Sequence, residues 1–412
     1  MNKKSILLLV VILLLCVIFI ELITPRIYLG ITKNYFSREH LQVKLLSTKD
    51  DNFSNVNFFK ENYVLHPFTG YVLDPKRHPG SNKLGFLGQA LDREHQDDEI
   101  MILITGGSVA AQFFQVTQQE LAKDIEDVFP NRKISIVSTA LSGYKQPQQL
   151  LSLIYLLSLG KRFDMIINLD GVNEIAVAKW QIDYFDLNPH FPFNWPAYNI
   201  VGNSLEHQFL LIKIVKIKTQ QSKLRSFFSK KPFIYSNYML ATWDLLDKKN
   251  ENNLRIATYE YLKRGENKTE EFQTVGPKYK GTNVFEDTAE VWKDSSKLMH
   301  MTTKSNGIPY FHFLQPNHFL MNKTLTEEEK LLMYETKNIN YIKHNIQKGY
   351  PYLSAKGDEL HNEGVNFVDL SSFFENETET VFSDCCIHFT RDAYHLLEKE
   401  IFEHVKKEMI VE

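Results

Sequence analysis

The chain has 412 residues, 43% of them hydrophobic and 24% charged, with a net charge of −3. That is apolar material for one large or two ordinary domains. The near-neutral charge, without a basic block or acidic tail, excludes the electrostatic footprint of a nucleic-acid binder. The three cysteines, Cys16, Cys385 and Cys386, are too few for a disulfide framework.

The first residues differ from everything that follows. Lys3 and Lys4 precede an apolar run over 6–20, which continues through Glu21 to Leu22 and Ile23 and stops at Pro25. No small-x-small cleavage pattern follows, so 1–25 reads as an uncleaved signal anchor, a single transmembrane helix. The two lysines place the amino end in the cytoplasm and the body outside it, although Arg26, Lys33 and Arg38 pull the other way. Cys16 reads as part of this helix, because Leu15 is too bulky to precede a lipid-attachment cysteine.

Residues 26–98 read as a stalk and an irregular lead-in, with turn residues around short apolar pieces at 66–75 and 82–88. A regular rhythm then begins. Strand 100–105 leads through Gly106-Gly107-Ser108 into helix 110–129. Strand 134–138 leads through Ala140-Leu141-Ser142-Gly143-Tyr144 into helix 147–159. Strand 164–170 leads into Gly171-Val172-Asn173-Glu174. Three strand–loop–helix units in succession predict a parallel sheet with helices on its faces.

The rhythm breaks over 184–304, which reads as a helical insertion. A Pro/aromatic loop at 188–196 precedes a lysine-bearing amphipathic helix over 205–228 and helices near 239–264 and 284–303. A cap over the site is the expected role, ahead of lying on an anionic membrane. The sheet resumes with strand 308–314, helix 327–347, strand 366–370 and a final helix over 391–409. One α/β domain carrying this insertion is thus expected over 99–412.

Serine needs a base within hydrogen-bond reach, a carboxylate to orient that base, and donors for the oxyanion. Each component stands at a strand end: Ser108 after the first, Gly143 after the second, Asn173 after the third, Asp384 and His388 after the last. Singly, Ser108 and Asn173 could be caps and Gly143 only a turn. Together they make a full acyl-transfer set. Asp170, Gln315 and Asn317 also close strands. A structural hydrogen bond is the expected role of Asp170, a place in the pocket wall a possible one for Gln315 and Asn317. His312 reads as core or sheet edge. Gly106-Gly107-Ser108 lacks the lysine of a phosphate loop. There is no C-x-x-C and no zinc-spaced cluster, so no metal or cofactor is expected. Cys385 and Cys386 could form a vicinal disulfide or stay as thiols.

These blocks resemble the SGNH (GDSL-like) hydrolase superfamily over about 99–180 and 305–410. The resemblance implies a flavodoxin-like three-layer α/β/α domain that hydrolyses esters of carbohydrates or lipids. It makes Ser108 the nucleophile, with its own N–H, the Gly143 N–H and the Asn173 amide as the oxyanion hole. It makes His388 the base, oriented by Asp384. The same triad could instead move an acyl group to a sugar hydroxyl, or the domain could be a silent glycan-binding scaffold. This chain departs from the family at Gly107, usually aspartate, at Glu174, also usually aspartate, and in the four-residue step from Asp384 to His388, usually three. Asp392 and His395 have the usual step, but they fall inside the final helix. O-acylated envelope glycans or lipids are the expected substrates.

Overall fold

The structure, a computed structural model, describes residues 3–32, 35–46, 62–185, 187–193, 205–266, 279–335, 339–384 and 388–409. The stalk beyond residue 46, the Pro/aromatic loop beyond Phe193, and Cys385 and Cys386 lie outside these. The chain divides into two compact units. One joins Met1–Asn57 to Asn199–Thr274, and the other joins Phe58–Tyr198 to Val275–Glu412.

The larger unit is mixed α/β. Strands β1 (Tyr63–His66) and β2 (Gly70–Leu73) form an antiparallel hairpin. The five others, β3 (Glu99–Gly106), β4 (Lys133–Ser138), β5 (Met165–Asp170), β6 (Tyr310–Leu314) and β7 (Asn366–Asp369), form one parallel sheet in the order β4-β3-β5-β6-β7. β3 is buried along its whole length, as is β5. Their near-continuous apolar character suits strands covered on both faces. Each buried Ile or Leu contributes roughly 1.5–3 kcal/mol.

Helices Ser108–Val128 and Arg391–Met409 pack together over one face. Helices Gln148–Ser158, Val284–Ser305 and Ile339–Asn362 cover the other. The result is a flavodoxin-like three-layer α/β/α arrangement. Its strand order reverses between β3 and β5, where open α/β sheets bind ligands. The register pairs Gly106 with Leu169 and Leu169 with Phe313, so the three central strands end level.

Three elements differ from the sequence expectation. The lead-in contains the β1–β2 hairpin. Helix Val284–Ser305 belongs to the α/β unit, where its buried Trp292 and Ser296 face the sheet. The helix expected over 327–347 is two, Glu327–Glu335 and Ile339–Asn362, the second running on through Pro351.

The smaller unit is helical: Lys3–Thr32, Arg38–Leu46, Leu205–Phe228 and Asn237–Glu266. Its core is Leu41, Leu45, Phe228, Ile234, Leu240 and Trp243. Helix Lys3–Thr32 is long and apolar enough to cross a membrane, and its side chains from Leu8 to Ile20 are exposed.

Candidate active site

Ser108 opens helix Ser108–Val128 directly after β3, with Gly107 as its N-cap, so its hydroxyl stands at the carboxyl edge of the sheet. His388 Nε2 lies 2.8 Å from Ser108 Oγ, and His388 Nδ1 bonds to Asp384 Oδ2. A carboxylate only accepts, so Nδ1 carries the hydrogen and Nε2 is left to accept from the serine hydroxyl. Asp384 Oδ1 also receives the backbone N–H of His388 at 3.1 Å. Both carboxylate oxygens therefore turn back on one residue, which is how the four-residue step is accommodated. His395 lies half-buried within the last helix. Thr390 Oγ1 accepts the Ala393 N–H at 3.3 Å, capping that helix.

The loop bearing Asp384 and His388 is fastened at its base. Ser383 N–H donates to His388 O and Thr390 N–H to Val381 O. Buried Glu329 accepts the N–H groups of Val381 (2.9 Å) and Phe382 (3.2 Å) through Oε1, and Lys323 Nζ (2.8 Å) and Thr326 N–H (2.9 Å) through Oε2. Burial pushes this carboxyl up, but Lys323 and the three N–H donors outweigh it and hold it below the usual range.

Asn173 begins a π-helical turn, Asn173–Val177, after β5. Its Nδ2 donates to Tyr144 O at 2.8 Å, which ties it to the loop that carries Gly143 and leaves its second amide hydrogen for another acceptor. Gly143 has φ +78°, and the Phe193 ring lies against it, 2.6 Å from where a Cβ would stand. Glu174 links the same two loops. Its Oε1 accepts from Gln146 N–H (3.0 Å) and Gln149 Nε2 (3.4 Å), and its Oε2 from Gly171 N–H (3.1 Å). Burial and the charge of Asp170 push Glu174 up, and burial pushes the neighbouring Lys145 down to about 7.

The hairpin braces this loop from outside. Tyr71 Oη donates to Ser142 O at 2.6 Å, and the buried Tyr144 hydroxyl returns a bond to Tyr71 O. Sequence reasoning missed Tyr71, Tyr144 and Glu329. The signal was weak, because an aromatic in a Gly/Pro-rich lead-in and a glutamate at a helix start are ordinary.

A second Ser–His–Asp chain lies in the core. Ser296 Oγ is 2.7 Å from His312 Nδ1, and His312 Nε2 is 2.9 Å from Asp170 Oδ1. Asp170 also accepts from Trp292 Nε1 (2.7 Å) and Asn168 Nδ2 (2.9 Å). All five residues are buried, so a substrate cannot reach this serine. The chain is a satisfied polar network between β5, β6 and the helix above them. Gln315 and Asn317 are also buried, and Gln315 Nε2 and Asn317 Nδ2 have no partner among the described residues. Beyond Phe389 an open cavity of about 400 Å³ is lined by Gln112, Gln115, Val116, Phe389, Arg391 and Tyr394. Among the described residues no His, Cys, Asp and Glu group is arranged to hold a metal ion.

No family model matches the chain, and no curated protein matches it. A solved structure, a GDSL-like lipase from Bacteroides thetaiotaomicron, is similar over 76% of this chain and 92% of its own. The identity is 10% and the TM-score 0.35.

Proposed function

We propose that the protein is a serine esterase of the SGNH (GDSL-like) type, divergent in sequence and anchored in a membrane by helix Lys3–Thr32. The observation that carries this reading is the Ser108–His388–Asp384 chain at the carboxyl edge of the sheet, beside the β3/β5 reversal. His388 Nε2 takes the Ser108 proton as Oγ attacks an ester carbonyl, and Asp384 stabilises the imidazolium that forms. The Ser108 N–H, the Gly143 N–H and the free hydrogen of the Asn173 amide receive the oxyanion. The imidazolium returns its proton to the departing alcohol. Water, deprotonated by the same histidine, then releases the acid and restores Ser108. O-acylated glycans or lipids of a cell envelope are the substrates this placement suits, with the α/β unit outside the cytoplasm.

A fluorophosphonate probe tests the assignment. Intact protein and Ser296→Ala should be labelled and Ser108→Ala should not. Equal labelling of Ser108→Ala would sink the nucleophile assignment. With labelling established, an acyl-acceptor assay in which transfer exceeds hydrolysis would make the enzyme a transferase.

A further inference from the structure

The helical unit carries an aromatic, basic tip that this reading leaves unused. Helices Lys3–Thr32 and Asn237–Glu266 run side by side in the same direction. Glu21 meets Asn237, and seven residues further along both, Tyr28 Oη donates to Asp244 Oδ2 at 2.7 Å. The turn that precedes Asn237 therefore points toward the apolar amino-terminal part of the first helix. Glu21 is held at that level. Its Oε2 accepts the Asn237 N–H at 2.6 Å, its Oε1 accepts the Ser236 hydroxyl, and its backbone oxygen accepts Asn237 Nδ2 at 3.1 Å.

A bilayer's hydrocarbon takes roughly 20 helical residues. Counted from Ile6, its far boundary falls near Pro25, and Glu21 lies about 6 Å inside it at 1.5 Å per residue. A carboxylate at that depth is costly unless it is bonded, and here the start of helix Asn237–Glu266 supplies donors and a favourable dipole end.

Around that level the turn exposes Phe227 (47%), Tyr235 (55%) and Tyr238 (48%), outside the unit's own core. Phe227 stacks on Phe233 with centroids 4.8 Å apart, and Lys231 Nζ stands 6.0 Å from the Tyr235 ring centroid. Lys223, Lys230 and Lys231 are exposed beside them. Among the described residues the acids at this end are Glu21, already bonded, and the exposed Glu39. Aromatic rings interleaved with lysines are the composition of the membrane–water interface, where lysine stems lie along apolar matter and their heads reach the phosphates.

We propose that the tip over 225–238 docks at the boundary between hydrocarbon and headgroups of an acidic phospholipid leaflet, the one from which helix Lys3–Thr32 emerges, with its rings near the depth of Glu21 and its lysine heads reaching up to the phosphates. The proposal rests on that helix spanning the bilayer. It stands helices Leu205–Phe228 and Asn237–Glu266 upright, so that Tyr259, about 33 Å along its helix from Asn237, is held away from lipid.

The test uses full-length protein in phosphatidylcholine/phosphatidylglycerol vesicles carrying nitroxide near the headgroup end or the methyl end of the acyl chain. Tyr235→Trp and Tyr259→Trp are each read as a difference from the parent protein. The tryptophan introduced by Tyr235→Trp should be quenched at least twofold more by the shallow label than by the deep one. That introduced by Tyr259→Trp should be quenched by neither. No quenching at 235, in protein that resists alkaline extraction, overturns the docking while leaving the span intact. Equal quenching at both positions overturns the upright arrangement. Quenching at 235 that is unchanged without phosphatidylglycerol overturns the choice of acidic lipid. Release of the protein by alkaline extraction overturns the span and the docking with it.

Discussion

A Cβ added to Gly107 would stand 2.3 Å from Nδ2 of Asn173. Real Cβ contacts do not come that close, so a side chain at 107 and the amide of Asn173 cannot keep their present places together. The Asn173 amide is itself held by Tyr144 O, which would stand 3.2 Å from the same Cβ, so it yields only by disturbing that bond. Gly107→Ala should therefore act as a partial loss of Asn173, slowing ester hydrolysis about 10²-fold, the range for losing one oxyanion donor. The double variant Gly107→Ala/Asn173→Ala should be little slower than Asn173→Ala alone, because both remove the same interaction. Additive losses in that cycle would show that Gly107 acts some other way.

Glu174 gives a second expectation, in the role of a positioning residue. Two carboxylate oxygens serve two backbone N–H groups, one from each loop that carries a proposed oxyanion donor. Glu174→Gln keeps the shape but offers one acceptor for those two, and leaving one buried N–H unmatched costs about 1–3 kcal/mol. The loops then shift by a fraction of an ångström, and misplacement on that scale slows chemistry more than binding. We expect kcat to fall about 10-fold or more with KM nearly unchanged, and fluorophosphonate labelling to slow in parallel. A rise in KM at constant kcat would place Glu174 in substrate binding instead.

The parallel sheet is legible in the amino-acid sequence because β3 and β5 are near-continuous apolar runs, each followed by glycine. Ser108, Asn173 and His388 are legible for a related reason. Chemistry in such sheets gathers at strand ends, and Ser108 and Asn173 closely trail β3 and β5, whereas His388 stands well past β7, at the junction with the final helix. Other features depend on tertiary contacts that leave no periodic trace. The β1–β2 hairpin has strands of four residues and is recognised only by what Tyr71 and Tyr144 do for each other. The helix read over 327–347 ends before Gly349-Tyr350-Pro351, yet helix Ile339–Asn362 runs through that stretch. Gly349 there lets the backbone close on Ile175, whose Cγ2 would be 2.4 Å from an added Cβ, and this packing overrides the local propensity. Trp292, Ser296 and His312 are scattered over 21 positions, and only the fold shows that they meet Asp170.

His318 supplies the last expectation, one of stability rather than catalysis. It is 6% exposed, and neither ring nitrogen has a partner among the described residues. Its ring lies 3.7 Å from that of Phe319 and 4.9 Å from that of Phe382, centroid to centroid. Burial pushes it down to about 4, with Asp384 and Glu329 pulling the other way and Lys343 adding slightly to the fall. In the unfolded chain a histidine titrates near 6.5. Above that value both states leave it neutral and it contributes no pH dependence. As the pH falls from 6.5 toward 4, the unfolded state takes up the proton first, so stability is lost across that window, by about 3 kcal/mol at its lower end. His318→Phe removes the proton site and suits its ring neighbours. Urea unfolding at pH 7.5, 6, 5 and 4 should show the parent losing stability relative to the variant only below pH 6.5, with the gap widening toward pH 4. A gap that is constant with pH would mean that the folded protein leaves the proton affinity of His318 as it is in the unfolded chain.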